Sequence, residues 1–221
     1  MSTTTTSRET ASERLRALTK QAADCVRPRL AGADRDGYLS FLNAMYHYTR
    51  HSGEKALKAE RDCPGAAADL RAFFAHMHRE ERGHYLLAEA DLGALGFGLD
   101  PATPAPVAAF DAYWESIRPE DYLAYVGALV VFENIAGHVG ADVAAFVRRL
   151  GLAKTQCRWL NVHVEADEHH GREALALGEK YLAADAGAVL AGAERACALW
   201  IDIFRSAFDD RVALPRRPAA A

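Results

Sequence analysis

The sequence predicts an all-α protein, folded as a single domain of seven helices. Its 221 residues are enough for one domain with a sizeable core, and half of them are apolar while a quarter are charged. Alanine is abundant and the alternation of β-branched residues that marks strands is nearly absent. Several helical stretches run beyond about twenty residues, which favours a bundle over a packing of short helices.

Proline, glycine and capping residues divide the chain into its elements. Asp34 can cap the second helix, and Pro64-Gly65 breaks the chain before the third. The predicted helices cover residues 9–30, 35–60, 66–95, 105–117, 119–149, 153–184 and 186–210. The predicted organisation is a disordered N-terminal tail (1–8), a helical domain (9–212) and a C-terminal tail (213–221).

Charge, cysteine content and hydropathy exclude several classes of function. The net charge is −4 and no basic stripe is present, so a nucleic-acid partner is not expected. The four cysteines are scattered without a C-x-x-C pair, which is typical of reduced thiols in the cytosol. The N-terminus has no apolar core like that of a secretory signal, and the longest apolar run, residues 125–132, is too short to span a bilayer. We therefore expect a cytoplasmic protein without a membrane partner.

Residues 161–171, NVHVEADEHHG, combine three histidines with three carboxylates. On a helix, His163, Asp167 and His170 lie within roughly 60° of one another around the axis. Two imidazoles and a carboxylate on one face can bind a metal, although a polar stripe of hydrogen-bonded histidines would give the same pattern. The other polar residues of this stretch are assigned to the solvent-exposed face: Glu165, Glu168 and His169.

A second motif is the E-x-x-H pair formed by Glu81 and His84. Three residues are nearly one helical turn, so both side chains can reach one metal centre, as in the di-iron carboxylate bundles. A charged helix also produces such a pair by chance, so the motif is weak when it stands alone. Its polar neighbours are assigned to the exposed or bundle-edge surface: His76, His78, Glu80, Glu89 and Asp91.

Two further polar residues lie in apolar surroundings. Glu133 interrupts the apolar segment 128–140, where a buried carboxylate needs a cation, a metal or a hydrogen-bond network; the alternative is an edge position with its head in water. His47 lies in the core-facing segment 38–52, as a ligand or as a hydrogen-bonded core histidine. Mixed imidazole and carboxylate donors on four successive helices favour an iron or manganese site, and zinc is compatible. The candidate metal ligands are His47, Glu81, His84, Glu133, His163, Asp167 and His170.

With these motifs the sequence resembles the haem-oxygenase-like di-iron oxidases, a group of iron-containing redox enzymes related in fold to thiaminase-like and pyrroloquinoline-quinone synthase proteins. Members carry an E-x-x-H helix, then a lone Glu, then the pattern H-x-x-x-D-x-x-H. These correspond here to Glu81/His84, to Glu133, and to residues 163–170. The resemblance covers roughly residues 35–185, and it implies the seven-helix haem-oxygenase-like bundle.

The chain departs from the family pattern at one ligand. The family supplies a Glu some 36 or 37 residues before the histidine of the E-x-x-H pair, and that place falls here on Tyr48 or His47. We expect His47 to be the substitute ligand, which would change the charge of the metal site by one unit. The completeness of a two-iron centre depends on this position.

The resemblance implies a non-haem oxidase or oxygenase that holds Fe(II)/Fe(III), two irons per chain, and uses O2 as co-substrate. Family reactions are N-oxygenation, oxidative C–C cleavage and desaturation of amino-acid-derived or fatty-acid-like molecules. Two alternatives remain: a mononuclear or cofactor-free enzyme on the same fold, and a non-catalytic helical binding protein. Thiaminase-type hydrolysis would need a positioned cysteine nucleophile, and the sequence marks none.

The expected substrate pocket lies beside the metals. Tyr48, Phe132 and Trp159 are its candidate lining residues, although core packing would explain each of them too. For a substrate with a carboxylate, Arg158 and Arg172 are the candidate partners. A homodimer and an external electron donor are compatible with this kind of enzyme.

Overall fold

The computed structural model describes residues 3–217, apart from the side chains of residues 3–9 and 166–168. The all-α prediction is confirmed: the main elements are helices, joined by short loops and two 3₁₀ turns. The helices are α1 (Thr3–Gly32), α2 (Arg35–Thr49), α3 (Ser52–Asp62), α4 (Ala68–Glu80), α5 (His84–Ala94), α6 (Ala105–Ser116), α7 (Leu123–Leu150) and α8 (Arg158–Asp209).

Two of the predicted helices are divided in the structure. The span predicted at 35–60 breaks at His51, before Ser52 and Gly53, which are weak helix formers. The span predicted at 66–95 breaks at Gly83, whose φ of 93° lies in the left-handed region. Conversely, α8 runs through the predicted boundary near residue 185, with Asp185 alone non-helical (φ −156°, ψ 97°).

Both ends of the described chain contribute ordered backbone. Helix α1 begins at Thr3, so its backbone continues through most of the segment expected to be disordered. Near the other end, the amide of Gly98 donates to the carbonyl of Pro215 (2.7 Å), and the amide of Arg217 donates to the carbonyl of Gly96 (3.0 Å). Residues 211–217 therefore hold the linker between α5 and α6 against the bundle.

Helix α7 forms the centre of the bundle and packs against both α1 and α8. Its residues from Leu123 to Val131 are almost all buried, and Gly127 lies so close to α8 that an added Cβ would overlap the backbone of Val189 and Ala193. By length and composition alone α7 could cross a membrane, but most of its apolar stretch is buried inside the bundle. It is therefore built as the core helix of a globular fold.

The start of α8 is set by a buried carboxylate on α5. Asp91 is fully buried, and its Oδ2 accepts a hydrogen bond from the amide of Trp159 (2.9 Å) in the first turn of α8. Asp91 thus satisfies a helix-terminal amide across the bundle. The assignment of Asp91 to the surface is wrong, because the sequence around it shows no sign that α8 needs a capping acceptor from another helix.

We predict that Gly127→Ala destabilises the fold, because its methyl group would push α7 from α8 along their contact. The expected loss is about 1–3 kcal/mol of unfolding free energy, measured by urea denaturation. Gly137→Ala is the matched control on the same helix, since nothing lies within 4 Å of its added Cβ. That control should stabilise the protein by about 0.4–1 kcal/mol, and equal effects of the two variants would contradict the close approach.

We predict that Asp91→Ala lowers the unfolding free energy by about 1–2 kcal/mol, because it removes the acceptor for α8, whereas Asp91→Asn keeps an acceptor oxygen and loses less. Burial raises the pKa of Asp91, although the amide of Trp159 opposes this. The folded state therefore favours the protonated, neutral form of this carboxyl over the ionised form. Relative to Asp91→Asn, the native protein should be most stable at low pH and lose that advantage as the pH rises through the raised pKa. A pH-independent difference would contradict this.

Candidate metal centre

Five of the predicted ligands come together where α4, α5, α7 and α8 meet. Ligand atoms of Glu81, His84 and His163 all lie within 4.8 Å of one another. Nδ1 of His84 is 3.3 Å from a carboxylate oxygen of Glu81, and Nδ1 of His170 is 3.6 Å from one of Glu133. We refer to Glu81, His84, Glu133, His163 and His170 as the five-residue cluster.

The spacing of the E-x-x-H pair predicts that both residues lie on one helical turn, but the structure places them on either side of a break between two helices. Glu81 follows the end of α4, and His84 is the first residue of α5. The chain turns between them through Gly83, and the amide of His84 donates to the carbonyl of Glu81 (3.3 Å). The two side chains still meet, because this turn keeps a spacing close to that of a helix.

The two carboxylates of the cluster differ in their electrostatics. Burial raises the pKa of Glu81, but His84, His163 and His170 more than offset this and hold it below its ordinary value. Burial likewise raises the pKa of Glu133, and there His170 is too weak to offset it, with Glu81 raising it further. A positive charge placed between the two carboxylates would stabilise the ionised forms of both.

The imidazole of His163 is held in the form that a metal requires. Its Nδ1 lies 2.7 Å from the backbone carbonyl of Trp159, so this nitrogen carries the proton and donates it. The lone pair is then on Nε2, which is buried and has no hydrogen-bond partner among the described residues. Burial lowers the pKa of His163 to about 4, so the ring is neutral at neutral pH. The indole of Trp159 stacks on the ring with centroids 3.9 Å apart.

Several buried imidazole nitrogen atoms of the cluster have no hydrogen-bond partner among the described residues. Nδ1 of His84 and Nδ1 of His170 also lack a hydrogen bond within the described part of the chain, since their contacts to Glu81 and Glu133 are long or poorly aligned. Unpartnered polar atoms are costly in a protein interior. Three imidazoles and two carboxylates with open donor atoms fit a divalent metal such as iron.

A close contact between α7 and α8 brings His170 to Glu133. The residue after His170 is Gly171, and an added Cβ there would lie 2.6 Å from the backbone carbonyl of Glu133 and 2.9 Å from Oδ1 of Asn134. Only glycine allows the helices to approach this closely. The sequence contains this glycine, but the pattern of residues along α8 does not predict that Gly171 faces α7.

His47 has other partners. Its Nε2 is 2.8 Å from the carbonyl of Asp100, and its Nδ1 is 3.4 Å from Oγ1 of Thr103. Both ring nitrogens therefore bind the linker between α5 and α6, and the expectation that His47 replaces the family's Glu ligand is not supported. Tyr48, the alternative position, lines the cavity described below.

The other predicted residues of the α8 motif have mixed outcomes. The side chain of Asp167 lies outside the described residues, as does that of Glu168. Glu165 and His169 are exposed, as predicted. His76, assigned to the exposed or edge surface, has its ring centroid 5.8 Å from that of His170, which places it beside the cluster.

An apolar cavity with a free volume of about 140 Å³ opens beside the cluster. The predicted lining residues Tyr48, Phe132 and Trp159 all border it, as do Glu81, Glu133 and His163. Neither predicted arginine borders the cavity. The cation that does is Lys55, which sequence analysis missed because it lies on a strongly charged, amphipathic helix that reads as solvent-exposed.

Comparisons with solved structures identify the same fold in other proteins. Solved structures that resemble the fold include a domain of unknown function with a haem-oxygenase-like fold from Shewanella denitrificans (TM-score 0.71, 20% identity, covering 93% of this chain and 92% of that one). They also include a TenA homologue from Pseudomonas syringae pv. tomato (TM-score 0.72, 13% identity, covering 91% of this chain and 92% of that one). The prediction of a haem-oxygenase-like bundle is thereby confirmed. A comparison with curated proteins found no significant match.

The sequence profile of one family covers most of the chain. Residues 39–201, from the middle of α2 to the last part of α8, match the profile described as iron-containing redox enzyme. The matched region includes every residue of the five-residue cluster. The chain therefore belongs to the iron-containing redox enzyme family.

Proposed function

We propose that the protein is a non-haem iron oxidase or oxygenase that uses O2 on a small organic substrate in the cytoplasm. The observation that carries this proposal is the five-residue cluster, with its open imidazole nitrogens, at the wall of an apolar cavity. Family membership adds iron as the metal. One iron fits the Glu81/His84/His163 group. The Glu133/His170 pair offers donors for a second.

The residues of the cluster would contribute to metal binding in different ways. The carboxylates of Glu81 and Glu133 supply negative charge in the core, and His163 presents a neutral ring whose orientation is set by the carbonyl of Trp159. Bound iron would supply the one-electron and O2 chemistry that amino-acid side chains lack. The aromatic wall of the cavity would exclude water and orient the substrate.

A metal-free hydrolase of the thiaminase type is the second candidate, because one similar structure is a TenA homologue. It would need a cysteine nucleophile at the cavity. None of the four cysteines lines the cavity. Burial raises the pKa of Cys63 to about 12 and also raises the pKa of Cys157 and Cys197, so these thiols stay protonated and weakly nucleophilic. The geometry favours the iron oxidase.

We predict that the protein binds two Fe(II) ions per chain after anaerobic loading and desalting, measured by metal analysis. His163→Gln should reduce the iron content by at least half, because it removes the open Nε2 while the glutamine keeps similar size. A content near one iron in the native protein would favour the mononuclear alternative. No bound iron would exclude the oxidase proposal.

Two histidine variants serve as controls for this measurement. His47→Gln should leave iron content unchanged, since its ring nitrogens bind Asp100 and Thr103 rather than the cluster. His169→Gln should also leave it unchanged, because this side chain is 63% exposed. Loss of iron in folded His47→Gln would restore His47 as a ligand and contradict its assignment to the linker.

Oxidase activity is tested separately from metal content. O2 consumption by the iron-loaded protein should increase when a substrate that fits the cavity is added, and His163→Gln should abolish the increase. An external electron donor and a homodimeric assembly belong to the same proposal. Adding a chemical reductant during turnover and measuring the mass in solution test them.

A further inference from the structure

The cavity beside the cluster contains one buried cation, Lys55, at its aromatic wall. Lys55 is 7% exposed and its Nζ lies 4.9 Å from the ring centroid of Phe110 and 5.4 Å from that of Tyr48. A buried ammonium group is expensive unless it is paired. Lys55 is paired with Asp111, whose Oδ1 is 2.5 Å from Nζ.

The partner of Lys55 can be replaced by a ligand. The side chain of Asp111 is 30% exposed although its Oδ1 is buried, so the carboxylate can become hydrated by rotating towards solvent when another anion takes its place. Apart from its contacts with the rings of Phe110 and Tyr48, Nζ donates a long hydrogen bond of 3.4 Å to the carbonyl of Tyr48. An ammonium group has three N–H donors, so Lys55 retains capacity for an acceptor that enters the cavity.

A second donor lies on the same wall. Trp200 is 6% exposed, borders the cavity and packs on Tyr48 with ring centroids 4.7 Å apart. Its indole Nε1–H is buried and has no hydrogen-bond partner among the described residues. Lys55 and Trp200 both contact the ring of Tyr48. An ammonium group and an unpartnered N–H donor at one aromatic ring favour a ligand with two acceptor oxygens, such as a carboxylate.

The two ends of the cavity are electrostatically distinct. The groups that act most strongly on Lys55 are Asp111, Glu115 and Glu54, and burial lowers its pKa. The groups that act on His163 are Glu81, His84 and His170 of the cluster and the carbonyl of Trp159. Between the two ends lie aromatic side chains, and the free volume of about 140 Å³ is of the size that holds a benzene ring.

We propose that the cavity binds a small organic carboxylate with an apolar body, its acid group at Lys55 and Trp200 and a carbon remote from that group at the five-residue cluster. The substrate class is therefore an alkyl or aryl carboxylic acid of roughly eight carbons, since the free volume matches about one aromatic ring. The orientation rests on the proposed oxidase function. The binding itself does not, because Lys55 and Trp200 lie outside the cluster.

The binding test uses the fluorescence of the three tryptophans, all of which border the cavity, in metal-free protein. Octanoate should bind at least about tenfold more tightly than 1-octanol or octylamine. Lys55→Met should erase the preference for octanoate while keeping the binding of 1-octanol, which shows that the cavity is intact. An equal affinity for acid and alcohol in the native protein, or an unchanged preference in Lys55→Met, would overturn the proposal.

Lys58→Met is the matched control on the same helix. Lys58 is also largely buried, but its Nζ binds Asp62 (2.7 Å) and the hydroxyl of Tyr125 (2.6 Å), and it does not border the cavity. The preference for octanoate should survive in this variant. Its loss in a folded Lys58→Met protein, checked by circular dichroism, would mean that removal of any buried charge on α3 disturbs the cavity.

The orientation is tested with brominated acids, because bromine quenches a neighbouring indole. Trp159 stacks on His163 at the cluster, whereas Trp200 packs on Tyr48 near Lys55. Quenching by 8-bromooctanoate should disappear in Trp159→Phe, and quenching by 2-bromooctanoate should disappear in Trp200→Phe. The reverse pattern, or no dependence on which tryptophan is removed, would overturn the orientation. Since no metal is present, a failure of iron binding would be seen independently of these results.

Discussion

The structure depends on holding two carboxylates, Glu81 and Glu133, inside a helical core. Each faces an imidazole at 3.3 to 3.6 Å, which is too long or too poorly aligned for a full hydrogen bond. Burial of these acids would be unfavourable without positive charge nearby. His84 and His170 supply part of that charge, since the neighbouring carboxylates raise their pKa values although burial opposes this, and a divalent metal would supply the rest. The cluster is therefore more easily understood as a binding site than as a stabilising network.

The rest of the bundle positions these groups through close helix contacts. Gly127 and Gly171 allow α8 to approach α7 at two levels, one in the core and one beside the cluster. At the start of α8, Asp91 caps the amide of Trp159, whose own carbonyl orients His163. A single chain of contacts thus runs from a buried carboxylate on α5, through the first turn of α8, to a candidate ligand.

Residues whose roles follow from periodicity and spacing were predictable from the sequence. Glu133 stood out as an acid in an apolar helix, and His163 and His170 share a face of α8. The positions that depend on distant contacts were not predictable: Asp91 caps a helix from another element, and His47 binds a linker more than fifty residues away. Lys55 was missed because a charged helix face does not reveal that one lysine points inward.

The break at Gly83 shows the same limit on a smaller scale. The E-x-x-H spacing correctly brought Glu81 and His84 together, since a tight turn and a helix place residues three apart at similar distances. The spacing could not distinguish one from the other. What makes the chain turn here is the left-handed conformation of Gly83. The sequence shows that residue 83 is a glycine, but it does not predict the φ angle that this glycine adopts.

If the protein uses O2 as proposed, the stacking of Trp159 on His163 has a consequence for the lifetime of the enzyme. Any reactive oxygen species that escapes productive reaction would meet this electron-rich indole first, together with Met77 in the cavity wall. The thiols of Cys63, Cys157 and Cys197 are buried away from the cavity and stay protonated, which protects them from oxidation. Oxidative damage would therefore accumulate at the cavity wall. It would be detected as the added mass of oxygen on Met77, as a sulfoxide, and on Trp159, as an oxidised indole.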